Sequence, residues 1–281
     1  MKKLYISVDM EGISTMVSPS QMRGRDIDPE RRELATLEVN AAIEGAFEAG
    51  CEVVYVADTH PPSRNIIPSL LDERALLIRG NPRPGGTLQD IDNSFSGVML
   101  LGMHARAGTP EGVLNHTWTH HLYDLRVNGI SIGETGINAY RAGECEVPVI
   151  LVEGDEATAR EAKELLGNVE TVVTKYGITR FSAKTLHPAV VCRELKSSAY
   201  RAMENVERFK PLLATRPIVM ELNFMNTEEA DICCLVPGVE RISPRCVRFT
   251  ADSFITAFNC FQVMCTLAWG LKDDAPGDAS Y

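Results

Sequence analysis

The apolar run Leu4-Tyr5-Ile6-Ser7-Val8 passes directly into Asp9-Met10-Glu11-Gly12, which sets two carboxylates two residues apart at the end of a strand pattern. On extended backbone such residues share a face, so Asp9 and Glu11 can converge on one point if the extension persists that far. Two later apolar runs end in a comparable way. Val53 to Ala57 leads into Asp58-Thr59-His60-Pro61-Pro62, and Gly97 to Gly102 into Met103-His104-Ala105-Arg106. Carboxylates and imidazoles gathered at one sheet edge are costly without a cation. Oxygen and nitrogen donors without thiolate suit zinc, manganese, iron or cobalt better than calcium.

A fifth candidate ligand is Glu134, in Gly133-Glu134-Thr135-Gly136-Ile137-Asn138. In the first turn of a helix its charge is also favoured by the helix dipole, which is a structural reason of its own. Asp9, Glu11, His60, His104 and Glu134 could hold one metal, or two with a shared Asp. A two-metal hydrolytic site clamps substrate oxygen and water together. His116, His120 and His121, in the stretch before Glu134, each offer an imidazole for proton transfer or nucleophilic attack. His187, just before Pro188 and a long helical pattern, reads as structural.

The elements that must position these groups alternate along the chain. Residues 3–8 form a strand, and residues 29–49 a helix with Ala35, Val39, Ala42, Ile43 and Ala46 on one side and Gly50 beyond its end. Residues 63–79 read as a short helix and a short strand. The turn-rich Gly80-Asn81-Pro82-Arg83-Pro84-Gly85-Gly86 follows. A hairpin is expected around Asn128-Gly129, a helix over 134–143 and a buried strand from Val147 to Val152. Beyond it, Asp155 caps a helix to about Leu166, residues 188–210 form a longer one, Pro217 opens a strand and Asp252 to Trp269 is an apolar helix.

Continuous apolar strands between helices indicate an α/β fold, with a mostly parallel sheet flanked by helices and the chemistry at the carboxyl ends of its strands. The expected division is a metal-site α/β domain over residues 1–155 and a second α/β portion over 156–281, which contributes oligomer contacts. The polar stretch from Ser14 to Arg32 would rim the site, and the tail from Lys272 is expected to fray.

Composition narrows the alternatives. A 281-residue chain with 44% apolar residues can bury a large core, and the net charge of −10 with no basic stripe argues against nucleic acid. No apolar stretch reaches the length of a membrane span or of a signal core, because Asp9 and Glu11 interrupt the first run. Eight cysteines without a CxxC pair read as buried free thiols in a reducing cytoplasm. A serine-hydrolase elbow, a phosphate-binding GxxxxGK[ST] loop, a dinucleotide-binding GxGxxG after the first strand and an HExxH helix are not expected. A carboxylate pair after strand one also suits magnesium phosphohydrolases, but two neighbouring His favour a softer ion.

Taken in order, Ser7-Val8-Asp9-Met10-Glu11-Gly12-Ile13, Asp58-Thr59-His60, Leu101-Gly102-Met103-His104-Ala105-Arg106, His116 and Gly133-Glu134-Thr135-Gly136-Ile137-Asn138-Ala139 resemble peptidase family M55, the zinc-dependent D-aminopeptidases of the dipeptide-transport operon. The resemblance runs from the first strand to near Trp269. It implies two Zn2+ per subunit, with Asp9 as the bridging carboxylate and Glu11, His60, His104 and Glu134 as the other ligands. His116 matches the family's catalytic histidine, described there as a nucleophile. It further implies short peptide substrates beginning with a D-residue such as D-alanine, and a homodecamer of two stacked pentameric rings. A metal-dependent aminopeptidase or amidohydrolase acting on L-peptides or other small amides is the alternative within enzymes, and a non-catalytic metal-binding scaffold the alternative outside them.

Overall fold

Strand β1 (Lys2–Val8) is buried from Leu4 onward. The computed structural model describes residues 1–21 and 28–271, so residues 22–27 of the expected rim and the tail from Lys272 lie outside the described residues. Helix α1 (Pro29–Glu48) opens on Asp28, whose side chain accepts from the Glu30 amide, and on a proline where a missing N–H costs nothing. Gly50, at φ 81°, ends it. Strands β2 (Cys51–Asp58), β3 (Ala75–Ile78) and β4 (Gly97–Met103) follow. Asn128 and Gly129, both at positive φ, form the two-residue turn between β5 (Leu122–Val127) and β6 (Ile130–Ile132).

The chain continues through α2 (Glu134–Gly143), β7 (Val149–Asp155), α3 (Glu156–Leu166), β8 (Glu170–Thr179), β9 (Ser182–Thr185) and α4 (Pro188–Glu204). The last portion holds β10 (Ile218–Phe224), α5 (Thr227–Cys233), β11 (Val239–Ser243), β12 (Cys246–Ala251) and α6 (Phe254–Trp269).

Seven strands form the main sheet in the order β3-β2-β1-β4-β7-β8-β9, parallel throughout except for the edge strand β9. Its two faces are covered by different helices, as alternate residues of β1 show. Leu4, Ile6 and Val8 share a core with Ala35, Val39 and Ile43 of α1 and Val191 and Leu195 of α4. Tyr5 shares the opposite core with Ala139 and Ala142 of α2 and Ala162 of α3. The second sheet, β11-β12-β10-β5-β6, is antiparallel, and its apolar face packs against α5 and α6.

The division between the sheets does not fall at residue 155. Strands β8 and β9 and helix α4, all beyond it, complete the first sheet and its cover, while β5 and β6, before it, join the second sheet. No helix forms between residues 63 and 74, where a short one was expected. Ser63 at φ 58° and Pro68 break the run into turns, leaving only β3. Helix α4 stops at Glu204 rather than near 210, because the chain turns at Asn205 and Pro211 disfavours helix at Lys210.

Candidate metal centre

Register brings the strand ends together. Val8 of β1 stands beside Asp58 of β2 and Leu101 of β4, so Asp9, His60 and His104 leave the sheet at one edge. The pairing continues just past the strand: the Asp9 amide donates to the Leu101 carbonyl at 2.8 Å and the Thr59 amide to the Val8 carbonyl at 2.9 Å. Extension does not persist to Glu11, however. β1 ends at Val8, and the Ile13 amide closes a turn onto the Met10 carbonyl.

That turn runs across the end of β4, its Gly12 amide donating to the Gly102 carbonyl at 2.7 Å. The approach is close enough to demand glycine on both sides. A Cβ on Gly12 would lie 2.2 Å from the Met103 carbonyl oxygen, and one on Gly102, already at φ 67°, would lie 2.0 Å from that of Asp9.

The candidate ligands converge in three overlapping triads: Asp9, Glu11 and His60; Asp9, His104 and Glu134; Glu11, His104 and His116. Within each triad one donor atom per residue lies within 4.8 Å of the others. His60 Nε2 is 3.2 Å from Glu11 Oε1, and His104 Nε2 is 3.1 Å from Glu134 Oε1 and 3.6 Å from Asp9 Oδ2. His116 Nε2 stands further off, 3.8 Å from Glu134 Oε1 and 4.0 Å from Glu11 Oε1. Glu134 is the first residue of α2, and its Oε1 accepts from the Trp118 amide at 2.8 Å.

Each of the three imidazoles turns Nδ1 to a nearby carbonyl: His60 to Pro61, His104 to Ala105 and His116 to Leu114, at 2.8, 3.1 and 2.9 Å. With Nδ1–H donated there, the neutral ring presents the Nε2 lone pair to the carboxylates, the orientation a metal-binding His requires. His104 Nε2 and Glu11 Oε2 are buried and have no hydrogen-bond partner among the described residues. Buried donors facing one another in this way fit a cation and are costly without one. The donor set, carboxylate oxygen and imidazole nitrogen, is one zinc accepts, and three protein ligands leave a fourth position open.

Without the ion, the same crowding shows as displaced protonation. Burial, then the Glu11 and Glu134 charges, hold the Asp9 carboxyl well above its usual range. Burial opposes charge on His60, yet the Glu11 carboxylate raises it to about 9. His104, against the same opposition from burial, is raised by Glu134; burial of the two glutamates is outweighed by His60 at Glu11 and by His104 at Glu134, so both acids are lowered. His116 moves the other way: burial, then the charge on His104, push it down to about 4.

Among the three loop histidines the structure brings His116 to the cluster. His120 sits behind it, with ring centroids 5.2 Å apart, and His121 Nδ1 meets Glu229 Oε1 at 2.5 Å. His187 caps α4, its Nδ1 accepting from the Ala189 amide. Residues 129–133 do spell GxSxG, but Ser131 stands within β6 opposite Arg126, not on a strand-to-helix turn, so this is no nucleophile elbow.

Sequence reasoning missed the buried polar groups that hold the site's loops. The Gly102 amide donates to Glu153 Oε2, the Arg106 amide to Glu161 Oε2, the Val113 amide to Asp155 Oδ2 and the Ser14 amide to Glu38 Oε1. Glu38 and Glu153 share a hydrogen bond, so the pair keeps a proton; burial raises both. One of these residues carried a signal: Glu38 interrupts the apolar face of α1.

Comparison with known proteins agrees with this geometry. The model of peptidase family M55, described as D-aminopeptidase, matches residues 1–263. A D-aminopeptidase of Bacillus subtilis (strain 168) is 37% identical over 268 residues, which cover 95% of this chain and 97% of that one. A solved structure, the zinc-dependent D-aminopeptidase DppA from Bacillus subtilis, a self-compartmentalizing protease, superposes with a TM-score of 0.93 at 36% identity. The match covers 96% of this chain and 99% of that one.

Proposed function

Because the chain belongs to peptidase family M55, the D-aminopeptidases, we propose that it is a zinc-dependent D-aminopeptidase that removes the first residue, such as D-alanine, from short peptides. The observation that carries this reading is the pair of triads sharing Asp9, each with three protein donors. Asp9, Glu11 and His60 would hold one zinc, and Asp9, His104 and Glu134 a second. Bound zinc supplies Lewis acidity, polarising the scissile carbonyl and acidifying water.

The chain's own contribution centres on His116. Its Nδ1–H is tied to the Leu114 carbonyl, so the Nε2 lone pair is fixed toward the cluster. Held neutral, that nitrogen can take the proton of water as its oxygen adds to the carbonyl carbon. It can then return the proton to the departing amine as the C–N bond breaks. The same lone pair is also placed for direct attack on the carbonyl. The carboxylates that face the site favour a cationic amino terminus, which suits cleavage next to the free end of a peptide.

Similarity to a self-compartmentalizing protease supports a homo-oligomer, which we assign as a decamer of two pentameric rings. Eight free cysteines suit a cytoplasmic location. Among the described residues no helix is long and apolar enough to cross a membrane.

The test combines elemental analysis with turnover of D-Ala and L-Ala p-nitroanilides. About two zinc ions per chain and preferential cleavage of the D-substrate are expected. Equal or greater turnover of the L-substrate would overturn the stereochemical assignment, and much less than one metal per chain would overturn the metal centre. A particle near 310 kDa, ten chains of 30.9 kDa, is expected in solution.

A further inference from the structure

Beneath the turn that carries Glu11, β8 presents two consecutive polar side chains to three consecutive backbone carbonyls. Lys175 Nζ donates to the Glu11 carbonyl at 2.6 Å and to the Ile13 carbonyl at 2.8 Å, and Thr174 Oγ1 donates to the Gly12 carbonyl at 2.6 Å. Both residues are wholly buried. β8 lies three strands from β1, across β4 and β7, so the turn is gripped from the far side of the sheet edge that it crosses. A buried ammonium is among the most expensive groups to place in a core, and here its direct hydrogen bonds go to backbone oxygen.

We propose that Lys175 is a positioning residue for the metal centre, setting the turn that presents Glu11 and the shared Asp9. This rests on the metallopeptidase reading above. The turn is irregular, and its carbonyls at 11, 12 and 13 each accept from β8; the Ile13 carbonyl also accepts from the Met16 amide. Without Lys175, the Glu11 carbonyl, that of a candidate ligand, loses the partner it has among the described residues and Ile13 keeps only Met16, so the turn is free to re-form around other partners. A shift there moves Glu11 directly and Asp9 through one intervening residue. Lys175 touches neither ligand side chain, so its effect is on how well the donors fit a metal. Burial opposes the charge on Lys175 and lowers it to about 8, against the acids Asp155, Glu38, Glu153 and Glu11 that favour its cationic form.

The test is Co2+ binding to metal-free protein, read by titration and by the visible d–d spectrum, in wild type, Lys175→Met, Lys175→Arg and Thr174→Val. A core variant of the second sheet, Val247→Ala, controls for loss of stability alone. Lys175→Met is expected to weaken Co2+ binding about 10- to 100-fold, as loss of an outer partner does, and to alter the spectrum. Lys175→Arg should recover part of the affinity, and Val247→Ala should bind as wild type does even where its melting temperature falls. Should Lys175→Met not fold, Thr174→Val decides, with a smaller loss in the same direction expected. Wild-type affinity and spectrum in a folded Lys175→Met, or in Thr174→Val where that variant decides, overturn the proposal. If wild type itself binds no Co2+, it is the metallopeptidase reading that fails.

Discussion

The rings of His104 and His116 stack with centroids 4.0 Å apart and planes 12° apart, so any positive charge on His104 acts directly on its neighbour. Burial, followed by this charge, lowers His116 to about 4. A group that must be neutral to act gains activity as pH rises through its pKa; in the active enzyme a metal held by His104 would put positive charge beside His116 in place of the proton, so the acid limb of kcat/KM is expected below the ordinary histidine value of 6.5. A pH-rate profile with its acid limb at or above 6.5, the ordinary histidine value, would contradict this assignment.

His116→Ala should lower kcat by about 10²- to 10⁴-fold, the usual worth of a positioned acid–base group. The variant should keep its zinc, since His116 Nε2 stands further from the carboxylates than those of His60 and His104. Elemental analysis alongside steady-state kinetics separates the two effects; parallel loss of metal and activity would make His116 a ligand instead.

Metal removal should reverse the pH dependence of stability. In metal-free protein His60 is raised from 6.5 to about 9 and His104 is raised as well. Their contribution is fully present below 6.5 and is lost as pH rises through the folded values, on the order of 3 kcal/mol for His60 alone. Asp9, also raised, declines in the same direction. The melting temperature of chelated protein is therefore expected to fall between pH 6.5 and 9. Zinc binds the deprotonated ligands, so the stabilisation it adds should grow over the same interval. Thermal melts with and without zinc at both ends of this range give the comparison, and a chelated protein that gains stability toward pH 9 would refute it.

Asp9→Asn and His187→Ala should part company. Asp9 belongs to two of the triads, so its loss should empty both metal positions and cost more than the roughly 10- to 100-fold typical of an outer partner. His187 only caps α4 at the Ala189 amide, and its removal should cost about 1 kcal/mol of stability while zinc content and kcat/KM stay unchanged. Denaturant unfolding and metal analysis of the two variants check both halves.

Gly102→Ala should be far worse than a usual Gly to Ala change. The new methyl would meet the Asp9 carbonyl oxygen at 2.0 Å, and φ 67° is a left-handed conformation that costs a side-chain-bearing residue roughly 1–2 kcal/mol before any clash. The expected result is a marked drop in melting temperature together with weaker zinc binding, because the displaced atom belongs to Asp9. A variant as stable as wild type would mean that β4 can move aside.

The sequence by itself marked the side chains that the fold brings together. Apolar runs ending in Asp9, His60 and His104 mark the carboxyl edge of a parallel sheet, because continuous apolar strands between helices have few other ways to be buried. It also determined α1, α2, the β5–β6 hairpin, the cap at Asp155 and the structural role of His187, since these depend on residues close in the chain.

Only the tertiary structure decided what depends on distant partners. The register of β1 with β2 and β4 sets which strand-end residues meet, and the crossing of Gly12 over Gly102 lets Glu11 converge without a continued strand. Residue types left His116, His120 and His121 equivalent; the resemblance singled out His116, and the structure stacks that ring on His104. The split of the sheets, with β5 and β6 joining β10, and the grip of Lys175 on a turn some 160 residues earlier were likewise invisible in the chain order. Local pattern records which face a residue wants buried; which buried polar groups then find each other is settled by the need to pair them once water is gone.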